Sequence, residues 1–271
     1  MTAKCHSVAG LAGNFLRNGV TAHRGNSAVF PQNTMVAVES ALGLGADWIE
    51  LDVQKTADEE LVVIHDKRTG NVADIDLEIS KCDYEQLMLV DVAYRHRKKN
   101  NLSLEECPKA RIPLLSEVLD VILLQRRSRL SIQPKDWCVE DACDLVRRRG
   151  AIEWVGFNDT SFEKMKCVKK LCESIPVFWD RYPFSFIGKD LDAAKEYGFE
   201  CVVIHYLGVT RSRISRIHRS GLEVGAWTVN GHRQLRRLIA MGVDRIYTDD
   251  PGLLLGLRAS RPTEAEIDRG R

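Results

Sequence analysis

At 271 residues, with 39 Lys and Arg balanced by 38 Asp and Glu, the chain is the size of one (β/α)8 barrel, and its net charge of only +1 excludes a bulk field that would draw it to nucleic acid or an acidic membrane. Its eight cysteines are too scattered for a disulfide scaffold and read as reduced thiols, since Cys138 with Cys143 and Cys167 with Cys172, five apart, do not share a helical face for zinc. Gly13, Asn14 and Arg17 break the first apolar run too early for a signal peptide, and no run reaches spanning length, so one cytoplasmic domain over residues 1–271 without stable membrane insertion is expected.

Short runs rich in Val, Ile and aromatics alternate with amphipathic stretches of helical length, the pattern of a parallel sheet covered by helices. Strands are predicted over Val20 to His23, Trp48 to Val53, Leu130 to Gln133, Trp154 to Asn158, Val177 to Trp179, Cys201 to His205, Glu223 to Val229 and Arg245 to Thr248. Eight strands in this rhythm predict an α/β fold of the (β/α)8 TIM-barrel type. The run Leu61 to His65 follows the second strand after the polar turn Thr56 to Glu60 and reads as its hairpin partner. Residues 66–111 then lapse into polar, charged sequence and read as an insertion at the barrel top. The basic run Arg95 to Lys99 within it is either a solvated face or an attractor for phosphate. Ile112 to Leu115 returns the chain to a helix opened by Ser116 and Glu117, and Thr160 with Glu163 makes a capping-box pattern ahead of a helix over Phe162 to Leu171. Residues 258–271 form a polar tail.

Barrel enzymes carry their chemistry at the carboxyl ends of the strands. Costly polar residues collect there: His23-Arg24-Gly25 after the first strand, Glu50 and Asp52 on the second, His65-Asp66 after the hairpin, Gln133-Pro134-Lys135 after the third. Glu50 and Asp52 stand two apart and so face the same way from a strand. Adjacent buried carboxylates repel unless a cation lies between them, and oxygen ligands select Mg2+ or Ca2+. The alternative is that one of them faces solvent or pairs with Arg24 or Lys135. Trp227 either lines the mouth or fills the core, Trp179 stands near a strand end with Phe157, Phe178 and Tyr206, and His205 faces the pocket or is a satisfied structural histidine. Asn230 suits the N-cap of a helix beginning near Gly231.

The ordered motifs A-H-R-G, P-x-N-T, I-E-L-D-V, V-V-I-H-D, W-T-V-N and G-V-D-x-I-x-T-D, spread over residues 22 to 251, resemble the glycerophosphodiester phosphodiesterase family. The resemblance implies that His23 and His65 serve as general acid and base, that Glu50, Asp52 and a third ligand hold a divalent cation, and that Arg24 and Lys135 contact the phosphate. It also implies attack by a neighbouring hydroxyl through a cyclic phosphate, which the residues themselves do not distinguish from direct attack by water. The family patterns P-E-N-T and E-x-K appear here as Pro31-Gln32-Asn33-Thr34 and Gln133-Pro134-Lys135, with amides in place of carboxylates. Gln133 is therefore expected to be an uncharged third metal ligand, with Asp180 as its substitute if the carbonyl oxygen does not serve.

The expected activity is metal-dependent hydrolysis of a small-molecule phosphodiester, either a glycerophosphodiester or a sugar phosphodiester of the agrocinopine class, to a phosphomonoester and an alcohol. A phospholipase D-like activity on lysolipids or sphingomyelin is the alternative within enzymes. It would call for an exposed apolar loop at the mouth, for which Pro183 to Ile187, within the run YPFSFIG, is the candidate, and buried packing explains that run as well. A non-catalytic phosphodiester-binding protein is the alternative from another class, supported by the two amides. Nothing in these patterns specifies an oligomer.

Overall fold

A computed structural model describes residues 19–259. The readings made for the first eighteen residues, and for the tail beyond Ala259, lie outside the described residues. In chain order the elements are β1 (Val20–His23), α1 (Met35–Leu44), β2 (Trp48–Lys55), β3 (Leu61–Val63), α2 (Tyr84–Leu87), α3 (Tyr94–Lys99), α4 (Leu115–Gln125), β4 (Arg129–Pro134) and α5 (Val139–Arg148). They continue with β5 (Val155–Asp159), α6 (Phe162–Leu171), β6 (Val177–Arg181), α7 (Ile187–Glu196), β7 (Cys201–His205), α8 (Arg211–Arg219), β8 (Glu223–Trp227), α9 (His232–Met241), β9 (Arg245–Thr248) and α10 (Pro251–Ala259).

The strands pair in the order β1-β9-β8-β7-β6-β5-β4-β2, and β1 also pairs with β2, so eight parallel strands close into a barrel with helices between them. β3 pairs antiparallel with β2, which makes the expected hairpin. Strand alternation sorts the side chains into two layers. Ile49, Leu51 and Val53, Leu130 and Ile132, Val177 and Trp179, and Val202 and Ile204 belong to the layer shared with the helices. Trp48, Phe178, Cys201, Val203 and Tyr247 fill the barrel interior together with Trp227.

The interior floor is closed by Arg245, fully buried, with its guanidinium 4.6 Å from the Trp48 ring centroid and 3.8 Å from that of Phe178. Two aromatic faces meet a desolvated cation there, an arrangement that favours the charge without a carboxylate fork.

Several boundaries differ from expectation for local reasons. Trp154 sits in a 3-10 turn, Ile152–Trp154, ahead of β5, and β8 stops at Trp227 two residues before Val229. The cap of α6 is Ser161, whose hydroxyl accepts the Lys164 N–H at 3.3 Å, and not Thr160. α4 starts at Leu115, with the Glu117 carboxylate accepting the Leu114 N–H at 2.9 Å. Between β3 and α4 the chain forms α2, α3 and two 3-10 turns over a small core of Val62, Ile64, Ile79, Leu87 and Val90. The basic run there is not a uniform solvated face, because Arg97 is buried, ion-paired with Asp91 and donating to the Cys107 carbonyl. Among the described residues every cysteine is a free thiol and no helix is long and apolar enough to cross a membrane.

Candidate active site

The A-H-R-G sequence makes a strained corner. Arg24 adopts φ +57° and Gly25 φ +81°, and a Cβ on Gly25 would lie 2.7 Å from the Ala37 carbonyl carbon. Only glycine meets both demands. The corner turns the Arg24 N–H back to the Glu50 carbonyl at 2.8 Å and leaves its side chain over the barrel mouth. Backbone strain of this kind persists where the surroundings over-determine it, as at functional sites.

A cleft of about 270 Å³ opens at this end, lined by His23, Arg24, Glu50, His65, Gln133, Lys135, Asn158, Asp159, Thr160, Asp180, Tyr182, Trp227, Thr228 and Tyr247. Asp52 lies at its base, fully buried. The structure thus brings together His23, Arg24, Glu50, Asp52, His65, Gln133, Lys135 and Trp227. Two of the expected pocket residues are elsewhere. Trp179 points into the helix layer, packs against Phe162 and Phe199 and donates to the Thr160 carbonyl at 3.2 Å. His205 stands edge-on to Trp227 with centroids 5.3 Å apart, accepts the Leu207 N–H, and does not line the cleft. Nor do Phe157, Phe178 or Tyr206 line it; Tyr182, Trp227 and Tyr247 are the aromatic residues that do.

Each cleft histidine is held by an aspartate at its inner nitrogen. His23 Nδ1 lies 2.6 Å from Asp249 Oδ1, and His65 Nδ1 lies 2.7 Å from Asp66 Oδ1. A carboxylate only accepts, so Nδ1 carries the proton in both rings and Nε2 is left to act. Asp249 is fixed in turn by Ser27 Oγ at 3.2 Å and Asn230 Nδ2 at 2.5 Å, and Asp66 by Asn71 Nδ2 at 2.9 Å. Asn230 is therefore not the expected helix cap: Gly231 takes that position, and Asn230 clamps Asp249, accepting its N–H at 2.9 Å as well. Burial pushes the His23 imidazole down, but the Asp249 hydrogen bond and the Glu50 charge more than offset it, and the net shift is upward. For His65 burial prevails, opposed by Asp52 and reinforced by Arg24, and the net shift is downward.

The carboxylates are not equivalent. Asp52 lies 3.0 Å from Arg24 Nε and 3.4 Å from Lys135 Nζ, and Asn33 grips it with Nδ2 at 2.8 Å from Oδ2 while its own Oδ1 accepts the Asp52 N–H at 3.2 Å. Burial would raise this carboxyl, yet Arg24 and Lys135 hold it below its ordinary range. Glu50 is pushed up to about 7 by burial and by the Asp52 charge. Gln133 donates to Asp180 Oδ2 at 3.1 Å and accepts from Lys135 Nζ at 2.9 Å, and Asn158 donates to the same Asp180 oxygen at 3.1 Å. Burial lifts Asp180 to about 8, and its Oδ1 is buried without a hydrogen-bond partner among the described residues. Gln32 accepts from Arg24 Nη1 at 2.7 Å, so the amide in P-Q-N-T orients the guanidinium without cancelling its charge.

Among the described residues no three His, Cys, Asp or Glu side chains converge into a metal cage. Glu50 and Asp52 nevertheless suit a hard cation that keeps several of its waters, for which one or two carboxylates suffice. The free Asp180 oxygen and the incompletely ionised Glu50 are what a cation would satisfy. Asp249, Asn33 and Asn158 had no role in the sequence reading. The first two lie in the T-D and P-x-N-T motifs, which marked their positions, while nothing local marked Asn158.

A sequence model described as the glycerophosphoryl diester phosphodiesterase family matches residues 23–142 and 175–253. A glycerophosphodiester phosphodiesterase of Bacillus altitudinis is 29% identical over 252 residues, covering 88% of this chain and 97% of its own length. One from Caldanaerobacter subterraneus is 28% identical, over 88% of this chain and 96% of its own. Among solved structures, a putative glycerophosphoryl diester phosphodiesterase from Silicibacter pomeroyi has a TM-score of 0.79 at 22% identity, covering 94% of this chain and 96% of that one. An Oleispira antarctica phosphodiesterase in complex with the product sn-glycerol-3-phosphate has a TM-score of 0.76 at 21% identity, over 89% and 97%.

Proposed function

The chain belongs to the glycerophosphoryl diester phosphodiesterase family and is a phosphoric diester hydrolase, and from that premise we propose that it cleaves a glycerophosphodiester to a phosphomonoester and an alcohol by paired histidine acid–base catalysis with a divalent cation. The observation that carries the reading is the pair of Nδ1-anchored histidines lining one cleft with Arg24 and Lys135. His23, tied to Asp249 and facing Glu50 at 3.9 Å, is set to carry a proton and deliver it to the leaving alkoxide. His65, depressed by burial, is neutral near pH 7 and accepts the proton of the attacking hydroxyl at Nε2.

Arg24 and Lys135 bring two positive charges to the cleft beside Asp52, the groups available to meet an anionic phosphodiester. Arg24 offers a planar fork to two phosphoryl oxygens and Lys135 a point charge to a third. Glu50, Asp52 and the Gln133 carbonyl would hold Mg2+ or Ca2+, and when bound the cation withdraws charge from the phosphoryl group and acidifies the attacking hydroxyl. Trp227, whose Nε1 is buried without a partner among the described residues, and Tyr182 are the cleft groups available to the alcohol.

The test is phosphomonoester release from glycerophosphocholine with Mg2+, with Ca2+ and with excess chelator, for the parent protein and for His23→Ala and His65→Ala. Turnover should require the cation and fall by about 10²–10⁴ in each variant. Turnover that survives both substitutions, or that is indifferent to chelator, would rule the assignment out.

A further inference from the structure

Beside the cleft stands a feature that hydrolysis does not use. β6 ends at Arg181, and the five residues before α7 alternate between water and protein: Tyr182, Phe184 and Phe186 are 61%, 90% and 81% exposed, whereas Pro183 and Ser185 are half-buried. Buried packing, the alternative for this run, does not hold: the loop is exposed. Nor is it slack. Arg213 on α8 donates to the carbonyls of Pro183 at 2.6 Å, Ser185 at 3.1 Å and Gly208 at 3.2 Å. Gly208 packs so closely that a Cβ there would come within 2.5 Å of the Pro183 carbonyl oxygen. Leu207, beside that contact, is itself 66% exposed.

A backbone pinned this firmly holds two phenyl rings almost wholly in water, which is unfavourable unless something covers them. The surroundings say what chemistry that is. Lys189, in the first turn of α7 directly after the loop, and Arg211 and Arg216, on the helix α8 whose Arg213 pins it, are exposed, and Arg216 reaches Gly188, where a Cβ would stand 2.7 Å from its Nη2. Among the described residues these three have no carboxylate within ion-pair distance, while Asp190, the acid in the first turn of α7, is buried against Arg181. Projecting aromatic rings ringed by unneutralised basic side chains match the boundary between acyl chains and anionic headgroups, where aromatic side chains settle and Lys and Arg are attracted.

We propose that the Tyr182–Phe186 loop, with Leu207 and the basic flank of Lys189, Arg211 and Arg216, docks the protein on an anionic lipid surface. Tyr182 belongs both to the loop and to the lining of the cleft, so docking turns the catalytic mouth toward the headgroups. The attachment is peripheral and reversible, since a few rings and charges supply it rather than a spanning helix.

The experiment is co-sedimentation of the full chain, without substrate, with phosphatidylcholine vesicles and with phosphatidylcholine–phosphatidylglycerol vesicles, at low and high salt. Binding is expected to the anionic vesicles and to weaken with salt. The double variant Phe184→Ser with Phe186→Ser should bind at least about tenfold more weakly, Lys189→Ala and Arg211→Ala each about fivefold, and Phe184→Trp with Phe186→Trp should retain binding. None of these should alter the hydrolysis of soluble glycerophosphocholine. Absence of binding to either vesicle, or undiminished binding by the serine variant, would overturn the inference, including in favour of a protein partner for the same rings. Vesicle binding is read without turnover, so an inactive protein that binds would count against the hydrolase mechanism alone.

Discussion

Replacing Asp249 with asparagine removes one charge and tests the acid role proposed for His23. Asp249 only accepts: from His23 Nδ1 at 2.6 Å and Ser27 Oγ at 3.2 Å on one oxygen, and from Asn230 Nδ2 at 2.5 Å on the other. An asparagine must point its NH2 at one of these. Toward Asn230 it opposes two donors, and Asn230 cannot flip without losing its bonds to Thr248 Oγ1 and the residue-249 N–H. Toward His23 it forces Nδ1 to accept, and the ring then has only its Nε2 proton to give. That would form imidazolate, which is no useful acid at neutral pH. Loss of a correctly held proton donor costs about two to four decades in kcat/KM, or about 3–5 kcal/mol. The assay is glycerophosphocholine turnover against pH, with calorimetry to verify folding. The limb set by His23 should also move to lower pH, because its hydrogen bond with Asp249 helps to raise its pKa. A variant within about threefold of the parent, with an unmoved profile, would refute the reasoning.

Two further outcomes follow from buried carboxyls. Gln133→Glu exchanges the hydrogen bond to Asp180 at 3.1 Å for two facing acids, so in chelator the variant should melt several degrees lower, while Mg2+ or Ca2+ should restore it and bind about tenfold tighter; calorimetric melting and titration would expose an unchanged affinity. Glu223 is pushed up to about 8, chiefly by burial and against the pull of Arg245, from an ordinary 4.5. The folded chain therefore keeps a proton that the unfolded chain has released, and stability should fall as pH rises from about 4.5 to about 8. Glu223→Gln should flatten that part of the melting-temperature profile, and a parallel profile would show the shift is absent.

The sequence by itself determined the barrel, because short apolar runs of strand length separated by helical stretches admit few closed arrangements. It also placed His23, Arg24, Glu50, Asp52, His65 and Lys135 in the motifs on or just beyond neighbouring strands, and pairing of β1, β2, β3 and β4 brings them together. The phase of each strand was harder. Trp179 and Asp180 are adjacent, and which of them enters the barrel depends on register around the closed sheet, where Trp179 pairs with Asp159 and Val202. That register put Asp180 in the wall and Trp179 among the helices. Tertiary structure alone decided the partners: Asp249 reaches His23 across 226 residues only because β9 lies beside β1 when the barrel closes. Asn158 is likewise aimed at Asp180 by strand pairing and not by any local pattern. Exposure of Phe184 and Phe186 belongs to the same class, for Arg213 holds their loop outward through carbonyls that no side-chain pattern records. Local chemistry is written in the order of residues, whereas pairing across a closed sheet is a property of the whole chain.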